Sequence, residues 1–303
     1  MAKPIRIAGL SRRMPVARAA SKVLRAVLVD LVEKVPEGSG SSKRGIHDLR
    51  VAVKRFREAF RLFRPVLRKK TFRRHREWIE DLNDALGEVR DRDVALSQLR
   101  TLTDGLAEPP RSVADLPARL ESERLGAVAA LAALLERLQL EGVPAQLGAS
   151  IASIEREAAP GRLAYEFARE RVRERLLDVR ARWTAARREA TPESMHRLRI
   201  GNKRLRYAIE PFSRMLGKEV RRLYRSASRF HDVLGDLHDA DSMAVMLETS
   251  MAGAPKPERR SWEGLSVKVI RARRVALRKA FSLADHLEPL WDDAQRAVEE
   301  PRP

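Results

Sequence analysis

The chain contains no cysteine among its 303 residues. Disulfides, thiolate metal sites and a cysteine nucleophile are therefore excluded, and a reducing compartment is compatible. Aromatic residues make up only 5% of the chain, too few for the interleaved stacking platforms of typical single-strand nucleic-acid binders. No run approaches the roughly 18–20 apolar residues of a membrane span. Met1 to Arg18 is basic but lacks the apolar core of a signal peptide, so a cytoplasmic location is expected. Alternating β-type runs and Gly-rich hairpin turns between strands are missing as well.

What the chain has in excess is positive charge. The formal net charge is +19, with hydrophobic residues at 44% and charged residues at 34%. Such a balance permits a core and points to a polyanionic partner: nucleic acid, an anionic membrane or polyphosphate. Lys43 to Arg76 holds fourteen Lys/Arg against two acids, and His196 to Arg225 holds ten against two. These windows carry +20, and the remaining 239 residues sum to −1. A surface made basic for solubility would not concentrate its charge in this way.

The two windows repeat one another. His47-Asp48-Leu49-Arg50-Val51 with Lys54-Arg55-Phe56-Arg57 returns 149 residues later as His196-Arg197-Leu198-Arg199-Ile200 with Lys203-Arg204-Leu205-Arg206. Lys69, Arg73 and Arg76 match Lys218, Arg222 and Arg225 at the same offset. Leu86-Gly87 with Asp91 and Asp93 matches Leu234-Gly235 with Asp239 and Asp241 at 148, so one residue is lost in between.

Periodicity predicts helices at about 15–35, 46–64, 67–86, 88–103, 112–140, 162–188, 193–216, 218–234, 236–251 and 258–285. Breaks are expected at Pro36 to Ser42, Pro109-Pro110, Gly142 to Pro144, Ala159 to Gly161 and Pro255 to Pro257. Thr191 is placed to cap a helix with Pro192 in its first turn. The expected fold class is all-α, each half a helical bundle. The bundles are expected at 1–141 and 161–303, with 142–160 connecting.

On a helical wheel, His47, Arg50, Lys54, Arg57, Arg61 and Arg64 fall within an arc of about 100°. Leu49, Val53, Phe56, Phe60 and Phe63 fill the adjoining arc, so the aromatics belong to the core. The second copy keeps His196, Arg199, Lys203 and Arg206 but has Glu210 and Ser213 where Arg61 and Arg64 stand. Cations three or four apart on a helix repel, and a row of phosphates relieves that repulsion. Lys69, Arg73, Arg76 and Lys218, Arg222, Arg225 add rows on the following helices. The candidate anion-binding set is completed by Arg55 and Arg204. Solvated helix faces and packing histidines are the plainer alternatives, and duplication of the spacing in both charged windows argues against them.

Asp91, Asp93, Asp239 and Asp241 are expected to pair with stripe arginines and fix their rotamers. A shared Mg²⁺ would require Gly87 or Gly235 to break the helix, since residues two apart point about 200° apart. Gly217-Lys218 looks like the end of a phosphate-binding loop, but Phe212 and Glu219 occupy positions that need Gly and Ser/Thr. No Gly-x-Ser-x-Gly nucleophile elbow is present, so catalysis, a metal or a cofactor is not expected.

At these residues the sequence resembles the CHAD family, a histidine-containing helical domain. The resemblance rests on the paired His-x-x-Arg-x-x-x-Lys-Arg-x-Arg, each copy followed by a Leu-Gly and Arg-Asp-x-Asp-like segment, and spans about residues 10–290. The first copy, Leu86-Gly87-Glu88-Val89-Arg90-Asp91-Arg92-Asp93, fits closely; the second has His238 where Arg90 stands. The resemblance implies two four-helix bundles about a pseudo-two-fold, a basic central cleft, binding of inorganic polyphosphate and association with polyphosphate granules. Relatives are often fused to a CYTH-type triphosphatase, whose Glu-x-Glu-x-Lys strand signature is missing here, so a stand-alone binding module is expected. Nucleic-acid backbone binding through the same surface is the runner-up. A membrane partner is not expected.

Overall fold

The computed structural model describes residues 5, 7–40, 42–104, 114–157, 161–252 and 259–300. The expected breaks at Pro109-Pro110, Ala159-Pro160 and Pro255 to Pro257 lie outside the described residues. Nine α-helices account for nearly all of the rest, and there is no strand among the described residues, only one isolated bridge. In chain order they are α1 (Val16–Gly38), α2 (Lys43–Leu62), α3 (Lys69–Thr103), α4 (Leu116–Leu140), α5 (Val143–Glu157), α6 (Ala164–Glu189), α7 (Pro192–Ile209), α8 (Lys218–Ala252) and α9 (Arg259–Glu299). A short 3₁₀ turn, Glu210–Phe212, follows α7.

The caps follow the local chemistry. Ser42 accepts from Gly45 N at the start of α2, and Thr191 accepts from Ser194 N at the start of α7, ahead of Pro192. Helix α6 ends on Ala190 in the left-handed conformation, with φ 50°. Helix α1 runs through Pro36 to Gly38 instead of stopping before the proline. Pro36 lies in its last turn, where one lost hydrogen bond is cheap. Gly45 leaves no room for a side chain against the Glu37 carbonyl, so α1 and α2 meet at close quarters.

Two expected breaks are absent. Gly87 and Gly235 lie inside uninterrupted helices of 35 residues each. A lone glycine costs a helix about 1 kcal/mol, and the packing on either side outweighs that. The segment 142–160, expected as a connection, carries α5, which packs against α1 and buries Val143, Leu147, Ile151 and Ile154. Helix α9 extends past residue 285 to Glu299, with Pro289 inside it.

One apolar core runs through both halves, including Leu24, Phe56, Phe63, Leu86, Phe167, Leu205, Phe230 and Trp291. Phe63 stacks on Phe167 at 5.4 Å and meets Phe212 edge-on at 5.9 Å. The starts of α1 and α6 are tied reciprocally: Val16 N donates to Arg162 O and Ala164 N to Met14 O. A second cluster joins Leu96, Leu99 and Leu116 to Met243, Leu247 and Trp262.

Burial follows the sequence recurrence. Ile46, Leu49, Phe56, Ala59, Phe60 and Phe63, in and just after α2, are buried. So are their counterparts at the offset of the paired motif, Met195, Leu198, Leu205, Ala208, Ile209 and Phe212. In α3, His75, Ile79, Leu82, Leu86, Val89 and Leu99 are buried. Their buried counterparts Leu223, Ala227, Phe230, Leu234, Leu237 and Leu247 keep the shorter offset of the Leu-Gly segment throughout. The one-residue change therefore precedes α3 and α8, and the rows Lys69, Arg73, Arg76 and Lys218, Arg222, Arg225 stand one position out of packing register.

Asp93 and Asp241 do not pair with the stripe arginines. Asp93 accepts from Arg124 Nε at 2.7 Å, and Asp241, its counterpart in the second half, from Arg273 Nε at 2.6 Å. They point away from Asp91 and Asp239 because residues two apart on a continuous helix face opposite sides. The pairs clamp α3 to α4 and α8 to α9. The side chains of Arg124 and Asp93 are 4% and 9% exposed, those of Arg273 and Asp241 25% and 12%. Removing one partner of a buried pair strands the other charge. Arg124→Ala is expected to lower the unfolding free energy by about 3–5 kcal/mol, and Arg273→Ala by less, as read from chemical denaturation.

Candidate functional site

Helices α2 and α7 pack against each other. Their apolar faces are spent on the core, which leaves their charged faces to line a cavity of about 810 Å³. His47, Arg50, Lys54 and Arg55 come from α2, and Arg199, Arg206 and Tyr207 from α7. Helix α3 adds Arg90, Asp91 and Gln98, while α8 adds His231, Asp232, Asp236, His238 and Asp239. Cations of both charged windows thus face one hollow.

Arg50, Lys54, Arg90, Arg199 and Arg206 form no ion pair within 4.0 Å among the described residues. The Nε atoms of Arg199 and Arg206 and Nδ1 of His231 are buried without a hydrogen-bond partner. Burial pushes the Lys54 ammonium down to about 6, and Arg50, Lys203, Arg199 and Arg57 push it the same way. Arg50 and Arg199 are also lowered, by burial first. Burial and neighbouring cations hold His196 and His231 below the usual imidazole value. Burial likewise lowers His47, against the pull of Asp48, and His238, against Asp239 and Asp241. The site therefore holds like charges close together, with no carboxylate among the described residues in direct contact with Arg50, Lys54, Arg90, Arg199 or Arg206.

Its lining is not uniformly basic. Six Lys/Arg face five carboxylates, one of which, Glu210, is taken by Arg55 at 3.5 Å. Asp91, Asp232, Asp236 and Asp239 lie on the α3 and α8 walls. Asp91 and Asp239 act on Arg50, and Asp239 on Arg199, through space and not by direct contact. Burial raises the Asp239 carboxyl although Arg90 and His238 oppose this.

Other expected residues are engaged elsewhere. Glu58, only 6% exposed, gathers Arg57 at 3.3 Å, Lys203 at 3.5 Å and Arg61 at 3.7 Å. Lys203 and Arg57 lead the causes that hold its carboxyl below the usual value, against the effect of burial. Arg61 and Arg76 also share Glu80. The His196 ring lies 4.9 Å from that of His238, outside the cavity lining. Arg204 is half-buried and likewise outside. Lys69, Arg73, Arg76, Lys218, Arg222 and Arg225 are exposed on the outer surface and do not line the cavity.

Sequence reasoning passed over Arg90, His231, Tyr207 and Glu58 as site residues. Arg90 had a signal, since it directly precedes Asp91 in the repeated Leu-Gly segment. Glu58 had none, because Tyr207 stands at the equivalent position of the second copy and a lone acid among cations reads as an ordinary helix-face pair.

An all-helical chain whose two similar helices meet over a cavity lined by cations that, Arg55 apart, form no ion pair among the described residues is the class these features define. The CHAD domain family matches residues 18–248, and the chain belongs to that family. Its fold is similar to the crystal structure of the CHAD domain from the plant Ricinus communis, with TM-score 0.65, 21% identity, and 100% of this chain and 98% of that one covered. It is also similar to PptA from Streptomyces chartreusis, with TM-score 0.63, 13% identity, and 90% and 100% covered. No curated protein matches the sequence. None of the described helices is long and apolar enough to cross a membrane.

The depressed Lys54 value has a consequence for stability. Between about 6 and 10.5 the unfolded chain holds a proton that the folded chain does not. Stability therefore rises with pH across that window, and the penalty is complete below about 6. Lys54→Met is expected to raise stability near neutral pH and to flatten this slope, checked by urea unfolding at several pH values from 6 to 10.

Proposed function

We propose that the chain is two fused copies of one helical unit about a pseudo-two-fold, and that their shared cavity binds inorganic polyphosphate without chemical change. The supporting observation is the set of cations from both charged windows, Arg50 and Lys54 with Arg199 and Arg206, that line one hollow without ion-pair partners among the described residues. A linear chain of phosphates supplies closely spaced negative charge on a thin, flexible thread. Arginine forks grip its oxygens in pairs, and lysine neutralises it as a point charge. The recurring burial pattern and the matched pairs Asp93–Arg124 and Asp241–Arg273 support the duplication. Family membership supports the ligand class.

The bound thread would lie along the α2 and α7 floor, away from the carboxylates on the α3 and α8 walls. His47, which lines the cavity at the head of its stripe, would follow the phosphates by gaining a proton. Association with polyphosphate granules follows if the granule surface presents chain ends.

Exposed Lys69, Arg73, Arg76, Lys218, Arg222 and Arg225 favour a second reading, backbone binding to nucleic acid. A duplex is too broad to enter the cavity and would meet only these outer rows. Competition of long polyphosphate against DNA and RNA at physiological salt separates the readings; displacement of polyphosphate by equal phosphate concentrations of either nucleic acid would overturn the first.

Charge-assisted hydrogen bonds contribute roughly 1.5–3 kcal/mol each. Arg50→Ala with Arg199→Ala is therefore expected to weaken polyphosphate binding by at least ~100-fold while the circular dichroism spectrum is unchanged. Unchanged affinity in the folded double variant would remove the assigned site. Affinity should fall steeply with salt. Because Lys54 is deprotonated near pH 8 in the free protein, binding should take up protons there, seen as a dependence of calorimetric heat on buffer ionisation.

A further inference from the structure

A second hollow of about 390 Å³ opens beside the first and shares His47, Arg50 and Arg90 with it. Lys43 and Arg100 stand at its outer end with Ser97 and Thr101, on the start of α2 and the last turns of α3. Lys43 and Arg100 are exposed and form no ion pair with a carboxylate among the described residues. The hollow holds one acid, Asp93, which is taken by Arg124 at 2.7 Å, and past it the cations of the central cavity continue outward in one direction, from Arg50 and Arg90 to Lys43 and Arg100.

The other direction is built differently. By the packing register of the helices, Lys43 corresponds to Pro192, Ser97 to Val245 and Arg100 to Glu248. Val245 is 63% exposed and Glu248 is exposed. One mouth therefore offers two cations and two hydroxyls, whereas its counterpart offers an apolar side chain, an acid, a proline and one hydroxyl, Thr249, which matches Thr101. Arg90, which joins the two hollows, is itself replaced by His238 on that side, where burial keeps the imidazole below its usual value.

We propose that the cavity is a one-sided site: a bound polyphosphate leaves the centre over the Lys43–Arg100 mouth and does not run out over Glu248. The inference rests on the polyphosphate reading above and adds a subsite for phosphates beyond those held by Arg50, Lys54 and Arg199. Short chains fill the centre alone. Longer chains gain affinity through Lys43 and Arg100 until the mouth is filled, after which added phosphates contribute only weak, screened attraction.

Binding of tripolyphosphate and of long-chain polyphosphate tests this by titration calorimetry at physiological salt. Lys43→Ala with Arg100→Ala should weaken long-chain binding by about 10-fold or more and change tripolyphosphate binding by less than about 2-fold, two charge-assisted contacts being removed. The charge-matched control Arg278→Ala with Lys279→Ala, on the exposed face of α9, should change either by less than about 2-fold. Glu248→Gln should leave long-chain affinity unchanged within the same margin. A long-chain loss equal to that of the control, or a several-fold gain from Glu248→Gln, overturns the one-sided path. Failure of the wild-type protein to bind either ligand overturns the polyphosphate reading itself and is a distinct result.

Discussion

The structure depends on the enforced proximity of cations where α2 meets α7. Arg50, Lys54, Arg199 and Lys203 are close enough for each to disfavour the charge of another. Left to themselves, those side chains would separate into water. They cannot, because the opposite faces of the two helices are locked into the core through Leu49, Phe56, Leu198 and Leu205. The hydrophobic effect is non-directional, but through helical periodicity it fixes which way the stripe points. Burial of the apolar face and convergence of the charged face are one event, and an anion that relieves the repulsion acts on a site already formed.

Neutralisation is selective, and the selection shapes the site. Glu58 withdraws Arg57, Lys203 and one face of Arg61, while Glu210 and Asp30 withdraw Arg55. Glu58 and Glu210 each occur in one copy only, since Glu58 corresponds to Tyr207 and Glu210 to Arg61. The duplicated stripe is thus trimmed at its C-terminal end by acids at non-equivalent positions, and its N-terminal part is left bare around Arg50, Lys54 and Arg199. Such an arrangement limits the self-repulsion that folding must overcome and concentrates what remains where a ligand has access.

The helical class and the start of α7 at Thr191 were legible because each depends on local spacing and on apolar periodicity. Membership in the CHAD family was legible for the same reason, its motif being a short repeated pattern. The uninterrupted course of α3 and α8 past Gly87 and Gly235 was not, because tertiary packing overrides a propensity penalty of about 1 kcal/mol. Partners of Asp93 and Asp241 were hidden because Arg124 and Arg273 lie on α4 and α9, on the next helix along the chain and outside the repeated motif. The outer rows beginning at Lys69 and Lys218 matched by type but not by packing register. Residue identity alone cannot distinguish those cases, whereas the buried positions of the same helices do.

Duplication and ligand chemistry bear on each other. Inorganic polyphosphate reads the same from either end, so cations related by a two-fold can grip it without regard to direction. A nucleic-acid strand has a direction, and a two-fold site would present its halves to unlike ends of the backbone. Under the proposed duplication the central residues Arg50 and Arg199 are equivalent, and the proposed ligand is such a directionless polymer. Beyond them the copies diverge, with Arg90 against His238 and Arg100 against Glu248. Divergence at the margins with agreement at the centre is what a site needs if its core must match a uniform thread and its exit must be chosen by the protein.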